Sequence, residues 1–194
     1  MALTRYPNEH FYDNGKLNLE KALAAYGELM RHHNYSLTEA MLKHPAMWIS
    51  DFGMGEFVNV GVGGVCFVND REHGGYFSHS IYLLPGQMLA EHWHVSAEGM
   101  PPKHETWVCL HGSVWTAARG GDRSKVPFKI PESQESTLLC FDTKKLEVGD
   151  FDVQRGLEEP HYFVAGPEGA IVQEFASFHS GEGFRFSNPN VNLS

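Results

Sequence analysis

The stretch that decides the fold is GQMLAEHWHVSAEGMPPKHETWVCLHG, from Gly86 to Gly112. Its two histidines, His92 and His94, are separated by one residue. Alternate side chains of a β-strand point to the same face, so both imidazoles lie on one side, about 6–7 Å apart along the strand. Two imidazoles at this spacing can bind one metal ion. Glu105 begins the next apolar run and can add a carboxylate from a neighbouring strand, and this mixture of ligands suits Mn, Fe, Co or Zn.

The spacing of these residues resembles the first motif of the cupin β-barrel family. That motif reads Gly, five residues, His-x-His, a gap, Glu, six residues and Gly, and it matches the chain from Gly86 to Gly112. The resemblance implies a histidine from a second motif as the last metal ligand. The opening of that motif matches Gly149-Asp150, and His161 follows Gly149 by twelve residues. A His-x-His pair without these companions is commonly accidental, and the combination favours a metal site.

One branch of the cupins, the D-lyxose isomerase family, is the closer resemblance. The ten residues between His94 and Glu105 exceed the usual cupin gap of three or four, and the pair Lys103-x-Glu105 is similar to this branch. The second motif departs from the cupin pattern because it lacks the usual Pro-x-Gly and closing Asn. The resemblance covers about residues 48 to 188. It implies a divalent metal, usually Mn²⁺ with Zn²⁺, Fe²⁺, Co²⁺ or Ni²⁺ as alternatives, bound by His92, His94, Glu105 and His161.

Three further side chains are candidates for catalysis or substrate binding. Glu174 lies in the apolar run AIVQEFA, where periodicity does not decide which face it occupies; the resemblance implies a catalytic base. Lys103 has the parity of Glu105, and either contacts the substrate and stabilises oxygen charge or remains in a solvated loop. Arg185, between two phenylalanines, either binds sugar oxygens or lies on the surface.

Composition predicts one all-β domain, and the resemblance implies that it is a cupin barrel of the jelly-roll type. We expect residues 1–46 to form a helical N-terminal extension and residues 47–194 to form the barrel. The chain is 42% hydrophobic and 20% charged, and its 20 glycines and 10 prolines favour many turns. A net charge of −9 argues against nucleic acid as a partner. No run approaches the ~20 apolar residues of a membrane helix, and the N-terminus has no apolar signal core.

Local patterns predict several elements. Apolar residues recur at helical spacing over residues 17–32, and Ser36-Leu-Thr-Glu39 has the pattern of a capping box that opens a second helix. These helices pack outside the barrel or at a dimer contact. Residues 56–62 are the first of several predicted strands, and residues 119–135 form a hydrophilic insertion. Six histidines in polar stretches are predicted to be exposed, and two others are left open: His10, His32, His33, His44, His73 and His179; His79 and His111.

The three cysteines, Cys66, Cys109 and Cys140, each lie in an apolar run and are predicted to be buried thiols rather than a disulfide or a nucleophile. This usage predicts a cytoplasmic protein, and by analogy with cupins we expect a homodimer. The leading hypothesis is a metal-dependent aldose–ketose isomerase that acts on a small free sugar, such as D-lyxose or D-mannose, through an enediol. The alternatives are an Fe(II)-dependent cupin oxygenase and a non-catalytic sugar-binding cupin.

Overall fold

The computed structural model describes residues 3–193. In these residues a short two-stranded hairpin and two α-helices precede nine further strands, and there are also three short 3₁₀ helices. In order the elements are β1 (Tyr12–Asp13), β2 (Lys16–Leu17), α1 (Leu19–His32), α2 (Thr38–Leu42), β3 (Met47–Ser50), β4 (Val62–Asp70), β5 (Tyr76–Leu83), β6 (Met88–His94), β7 (Glu105–Gly121), β8 (Cys140–Leu146), β9 (Phe151–Val153), β10 (His161–Ser177) and β11 (Phe184–Phe186).

Strands β3 to β11 form one curled antiparallel sheet around a buried interior. Its main path runs β11-β6-β10-β5-β4-β3, and β7 pairs with β10, β8 and β9. The centre of the sheet is β10. The first part of β10 lies between β6 and β7, and its last part lies between β5 and β7. Strands from both motifs therefore meet along β10, which brings their ligand residues to one side of the sheet.

Two glycines mark the place where β7 and β10 bend together. Gly112 has φ +70°, and a Cβ atom on it would lie 2.1 Å from the carbonyl oxygen of Gly169. No side chain fits between backbones that approach so closely. Gly86, the first glycine of the motif, also has positive φ, +76°, but no atom lies within 4 Å of its Cβ position. The two motif glycines therefore serve different purposes: Gly86 allows a turn, and Gly112 allows a close contact.

This difference predicts unequal effects of alanine at the two positions. Gly86→Ala is expected to lower the free energy of unfolding by about 1–2 kcal/mol, the cost of a left-handed conformation. Gly112→Ala is expected to cost about 2–5 kcal/mol, because about 1–3 kcal/mol of steric strain is added to that term. Urea denaturation of both variants measures the difference. Equal losses would show that the contact between Gly112 and Gly169 does not constrain the barrel.

The N-terminal helix covers the outer face of the sheet. Asn18 caps α1 by accepting a hydrogen bond from the Lys21 amide at 3.0 Å, so the helix begins two residues later than predicted. The apolar stripe of α1 packs on β-sheet residues that include Tyr82 and Ile171. Tyr26 lies directly over Gly63 of β4 and donates a hydrogen bond to the buried Gln87 side chain. Of the two predicted positions for the helices, the described chain shows packing outside the barrel.

Two local predictions are wrong. The capping box is not formed: Leu37 occupies the N-cap of α2, and the Thr38 hydroxyl instead donates to the Tyr35 carbonyl at 2.6 Å. The predicted strand over residues 56–62 is not formed before Val62, the first residue of β4, because the amides of Asn59 and Val60 both bond to the Glu56 carbonyl and close a turn. In each case a backbone turn satisfies the polar groups that the predicted element would have used.

Within residues 3–193 no helix is long and apolar enough to span a membrane. The three cysteines form no disulfide; Cys109 and Cys140 are buried and Cys66 is half-buried. Burial raises the pKa of the Cys109 thiol to about 11. Cys109 therefore remains a protonated, unreactive thiol at neutral pH. The prediction of burial agrees with Cys109 and Cys140 but not with the half-buried Cys66.

Candidate metal centre and active site

Four side chains from three strands converge inside the barrel. His92 and His94 point inward from β6, Glu105 begins β7, and His161 begins β10 directly opposite His92. One ligand atom from each lies within 4.8 Å of the others, and all four side chains are buried. The residues that we predicted as metal ligands from alternation and resemblance are thus brought together in space.

The ligand atoms of this cluster lie close together, but several of them have no hydrogen-bond partner among the described residues. His161 Nε2 lies 2.8 Å from Glu105 Oε2, and His94 Nε2 lies 3.3 Å from Glu105 Oε1. Nevertheless His94 Nε2, Glu105 Oε2 and His161 Nε2 are buried without an aligned hydrogen-bond partner. Unpaired buried polar atoms are costly, and a cation at their centre would satisfy all of them. The cluster therefore fits a divalent metal.

In two of the histidines, a hydrogen bond at Nδ1 determines which ring nitrogen is available to bind a metal. His92 Nδ1 lies 2.8 Å from the Ala90 carbonyl oxygen, and His161 Nδ1 lies 3.0 Å from that of Glu159. A carbonyl oxygen only accepts, so each Nδ1 must carry the proton. In a neutral ring this leaves the Nε2 lone pair free for a metal.

The electrostatics of the cluster favour an ionised carboxylate beside neutral imidazoles at His92 and His94. Burial lowers the pKa of His92 well below its usual value, and the neighbouring His161 and His94 lower it further. Burial alone would raise the pKa of Glu105, but the attraction of Lys103, His161 and His94 outweighs it, and the pKa lies well below its usual range. At His161 burial alone would lower the pKa, but the attraction of Glu105 outweighs it and raises the pKa above its usual value. The ionised Glu105 and the neutral His92 and His94 have the protonation states that a metal requires of its ligands, and a metal would have to displace any proton on His161 Nε2.

Lys103 points into the barrel and is almost completely buried. Its Nζ lies 2.7 Å from Glu105 Oε1, contacts the Glu174 carboxylate, and sits 4.2 Å from the centre of the Phe77 ring. Burial by itself would lower the pKa of Lys103, but the two carboxylates outweigh burial and raise it. The lysine is therefore a charged group inside the cavity, and the alternative of a solvated loop side chain is excluded by its position.

Glu174 also faces the interior, which periodicity alone left open. It lies on β10 between His79 of β5 and Trp107 of β7, and only 4% of the residue is exposed. The opposite face of the same run packs Ile171 beneath α1 and exposes Phe175. Both faces of this strand carry apolar residues because helix α1 packs over the outer face.

Arg185 does not reach the site. It lies on the exposed side of β11, and its Nη1 donates to the carbonyl oxygens of Glu182 and Phe184 at 3.0 and 2.6 Å. The flanking Phe184 and Phe186 line the cavity instead. Because alternate residues of a strand face opposite sides, the arginine points away from the cavity. The prediction that Arg185 binds substrate is corrected accordingly.

The cavity beside the cluster has a volume of about 270 Å³ and both polar and aromatic walls. Its lining includes Trp48, His79 and His179, which were not singled out as site residues from the sequence. His179 was predicted to be exposed, but its ring packs between Phe77 and His94. Burial and the nearby Lys103 lower the pKa of His179 to about 2, so its imidazole is neutral.

His179 is positioned by a side chain of β4. The Asn69 amide group bonds both the N–H and the C=O of His179, at 3.0 and 2.8 Å. The Nδ1 atom of His179 is buried without a hydrogen-bond partner in the described structure. No sequence pattern near His179 predicts its position at the cavity, because the residue lies in a glycine-rich tail that only the fold brings over the cavity.

Comparison with known proteins gives similar relatives over most of the chain. A D-lyxose/D-mannose isomerase of Thermosediminibacter oceani is 33% identical over 146 residues, which cover 74% of this chain and 77% of the relative. A D-lyxose ketol-isomerase of Cohnella laeviribosi is 32% identical over 166 residues, or 84% of this chain and 87% of the relative. No family model matches the sequence.

Solved structures show the same fold at low sequence identity. An L-ribose isomerase of an Acinetobacter species, in complex with L-ribose, has a TM-score of 0.68 and 14% identity, with 90% of this chain and 92% of that one covered. The L-ribose isomerase of Cellulomonas parahominis without ligand gives a TM-score of 0.66 at 14% identity, over 90% and 93% of the two chains. The predicted all-β barrel of the cupin type is confirmed.

Proposed function

The chain belongs to the family of D-lyxose ketol-isomerases, and on that basis we propose that this sugar isomerase interconverts an aldose such as D-lyxose or D-mannose with the corresponding 2-ketose. The observation that carries the proposal is one buried cavity that holds two kinds of group. A metal-type cluster of three imidazoles and a carboxylate forms one wall, and Glu174 and Lys103 stand beside it. Polarisation of a sugar carbonyl and movement of a proton next to it need both kinds of group.

The residues of this chain then have separate tasks. A divalent ion held by His92, His94, Glu105 and His161 supplies Lewis-acid polarisation of the sugar oxygens when it is bound. The Glu174 carboxylate removes the proton from C2 of the aldose, which leaves an enediolate that becomes an enediol when O1 takes up a proton. Loss of the proton from O2 and return of a proton to C1 from Glu174 then give the ketose. Lys103 donates to the oxygen on which negative charge develops. The apolar walls exclude bulk water from the transfer.

The functional test is a sugar screen with the purified protein. We expect the protein dialysed against chelator and then given Mn²⁺ to form ketose from D-lyxose and D-mannose, and the chelated protein to form none. Ketose is measured after separation of the sugars. Oxygen consumption without ketose would support the cupin oxygenase alternative. Absence of both products from metal-loaded protein would support a non-catalytic sugar-binding cupin.

The identity of the metal is a separate proposal. The mixture of nitrogen and oxygen ligands suits Mn²⁺, and it also admits Zn²⁺, Fe²⁺, Co²⁺ and Ni²⁺. Elemental analysis of the protein purified without added metal identifies the native ion. Activity restored best by Mn²⁺ would support our assignment, and a protein that contains and prefers another ion would overturn it.

Replacement of Lys103 tests its role in charge stabilisation. We expect Lys103→Met to lower kcat by about 10²–10³-fold, the cost of losing one preorganised donor to a developing oxyanion. The metal-free variant should also be less stable by about 3–5 kcal/mol, because two buried carboxylates lose their shared partner. Kinetics and urea denaturation measure the two effects. Lys129→Met, at an exposed lysine, is the matched control; a normal kcat in Lys103→Met would contradict the proposed role.

Quaternary structure and location are also proposals. In support of a cytoplasmic protein, the three cysteines are unpaired, as expected in a reducing compartment. In support of a homodimer, Val148, Phe151 and Leu157 expose more than half of their surface near strand β9. Sedimentation equilibrium at micromolar concentration tests the dimer, and a monomer at all concentrations would contradict it.

A further inference from the structure

Three side chains form a line that ends at the proposed catalytic carboxylate. Trp48 of β3 bonds His79 of β5, and His79 contacts Glu174 of β10. Strand β4 lies between β3 and β5, and a side chain on it would block the line. Gly64, which is paired with Trp48, leaves the space open: its Cβ would lie 2.2 Å from His79 Nε2. The glycine therefore allows an indole and an imidazole to meet across a strand.

The indole determines which nitrogen of His79 carries a proton. Trp48 Nε1 lies 2.9 Å from His79 Nε2, and the two ring planes differ by only 17°. An indole N–H can only donate, so His79 Nε2 must be the acceptor. A ring that accepts at Nε2 is not an imidazolium, and its single proton lies on Nδ1. His79 is thus a neutral donor that points toward Glu174.

The donor faces one oxygen of the carboxylate. His79 Nδ1 lies 3.6 Å from Glu174 Oε2, and both side chains are more than nine-tenths buried. The other oxygen, Oε1, contacts Lys103. The separation from His79 is longer than a formed hydrogen bond, and catalytic contacts of this kind shorten when substrate fills the site. Each oxygen of Glu174 therefore faces a different nitrogen, Lys103 Nζ in contact and His79 Nδ1 just beyond hydrogen-bond distance.

From this geometry we propose that His79 is a positioning residue for the Glu174 base, and that Trp48 sets its tautomer. The inference rests on the proposed function, because it assigns Glu174 to proton transfer. His79 itself exchanges no proton with the sugar. Its Nδ1–H holds the carboxylate in the orientation that reaches the carbon-bound proton, and the indole keeps that hydrogen on Nδ1.

Substitutions at His79 separate positioning from packing. His79→Asn keeps an N–H near the Nδ1 position, whereas His79→Leu keeps bulk and removes the donor. We expect His79→Leu to lower kcat by about 10- to 100-fold, the worth of one hydrogen bond to a charged group, with KM changed less than about threefold. His79→Asn should retain kcat within about fivefold. Equal losses in both variants, or a loss confined to KM, would overturn the proposal.

Trp48→Phe tests the tautomer without touching the base or its donor. It keeps the aromatic contact and removes the N–H, and we expect a lower kcat in an otherwise unchanged protein. In the His79→Asn background the same change should have no effect on kcat, because no imidazole remains whose tautomer Trp48 could determine. Additive losses in this double-mutant cycle would show that Trp48 acts independently of His79 and would overturn the proposal.

A spectroscopic measurement makes the inference independent of turnover. Long-range ¹H–¹⁵N correlations of the full-length, zinc-loaded protein report the tautomer of each histidine, and the His79 signal is assigned by its loss in His79→Asn. We expect the Nδ1–H form in the unchanged protein and a mixture of tautomers in Trp48→Phe. An Nε2–H form would overturn the inference. If the sugar screen fails while the Nδ1–H form is observed, the proposed function is contradicted, but the inferred hydrogen bond from Trp48 to His79 is supported.

Discussion

Replacement of Glu174 by glutamine is expected to lower kcat by about 10²–10⁴-fold, the usual contribution of a general base. The amide keeps the size of the side chain and its contact with Lys103, but it cannot accept a proton from carbon at neutral pH. Glu174 does not belong to the metal cluster, so the variant should bind as much metal as the unchanged protein. A large loss of turnover without a loss of metal is the signature of a base.

Isotope exchange gives the sharper measurement. In D₂O, an enzyme that removes the C2 proton incorporates deuterium from solvent into the sugar, and Glu174→Gln should lose this exchange together with net turnover. Glu182→Gln, at an exposed glutamate just before β11, is the matched control and should keep both. Exchange at the normal rate in Glu174→Gln would mean that another group removes the proton.

The second large effect is expected for His161→Ala, which removes a metal ligand. His161 comes from the motif that departs most from the cupin pattern, yet its Nε2 faces the same centre as His94 and Glu105. Loss of an outer-shell partner already costs about 10- to 100-fold in metal affinity, and loss of a direct ligand should cost more. We therefore expect the variant to bind metal weakly and to have no measurable isomerase activity at micromolar Mn²⁺.

Thermal stability tests this prediction without an activity assay. A ligand that binds only the folded state raises its stability in proportion to the logarithm of the ligand concentration over Kd. Mn²⁺ should raise the Tm of the unchanged protein and of His73→Ala, a control at an exposed histidine, but not that of His161→Ala. An equal rise in all three proteins would place the bound metal elsewhere.

Much of the metal cluster could be predicted from local sequence. His92 and His94 share a face in any extended strand, because alternation depends only on backbone geometry. The apolar stripe from residue 19 to residue 30 predicted α1 for the same reason, since a period of 3.6 residues is a local property. His161 was identified by resemblance, and its pairing with His92 follows from the sheet order rather than from its own neighbours in sequence.

The catalytic wall of the cavity could not be assigned in this way. Glu174 lies in a strand that is apolar on both faces, so alternation alone does not decide whether its side chain points into the barrel or away from it. The helix α1, which covers the outer face, decides between them. Arg185 shows the opposite case: its neighbours suggested a binding residue, and the pairing of β11 with β6 turned it outward. Which face of a strand points into the barrel depends on the elements that pack against that strand, and this packing is a property of the tertiary structure.

The amino-acid sequence by itself therefore determined the strand-rich fold class, the first helix and the placement of His92 and His94 on one face of a strand, because these depend on periodicity within a few residues. Only the tertiary structure decided that Lys103 and Glu174 share a cavity with the metal cluster and that Trp48 reaches His79 across Gly64. Those contacts join strands far apart in the chain. Their formation depends on the curvature and pairing of the whole sheet, which no short stretch of residues encodes.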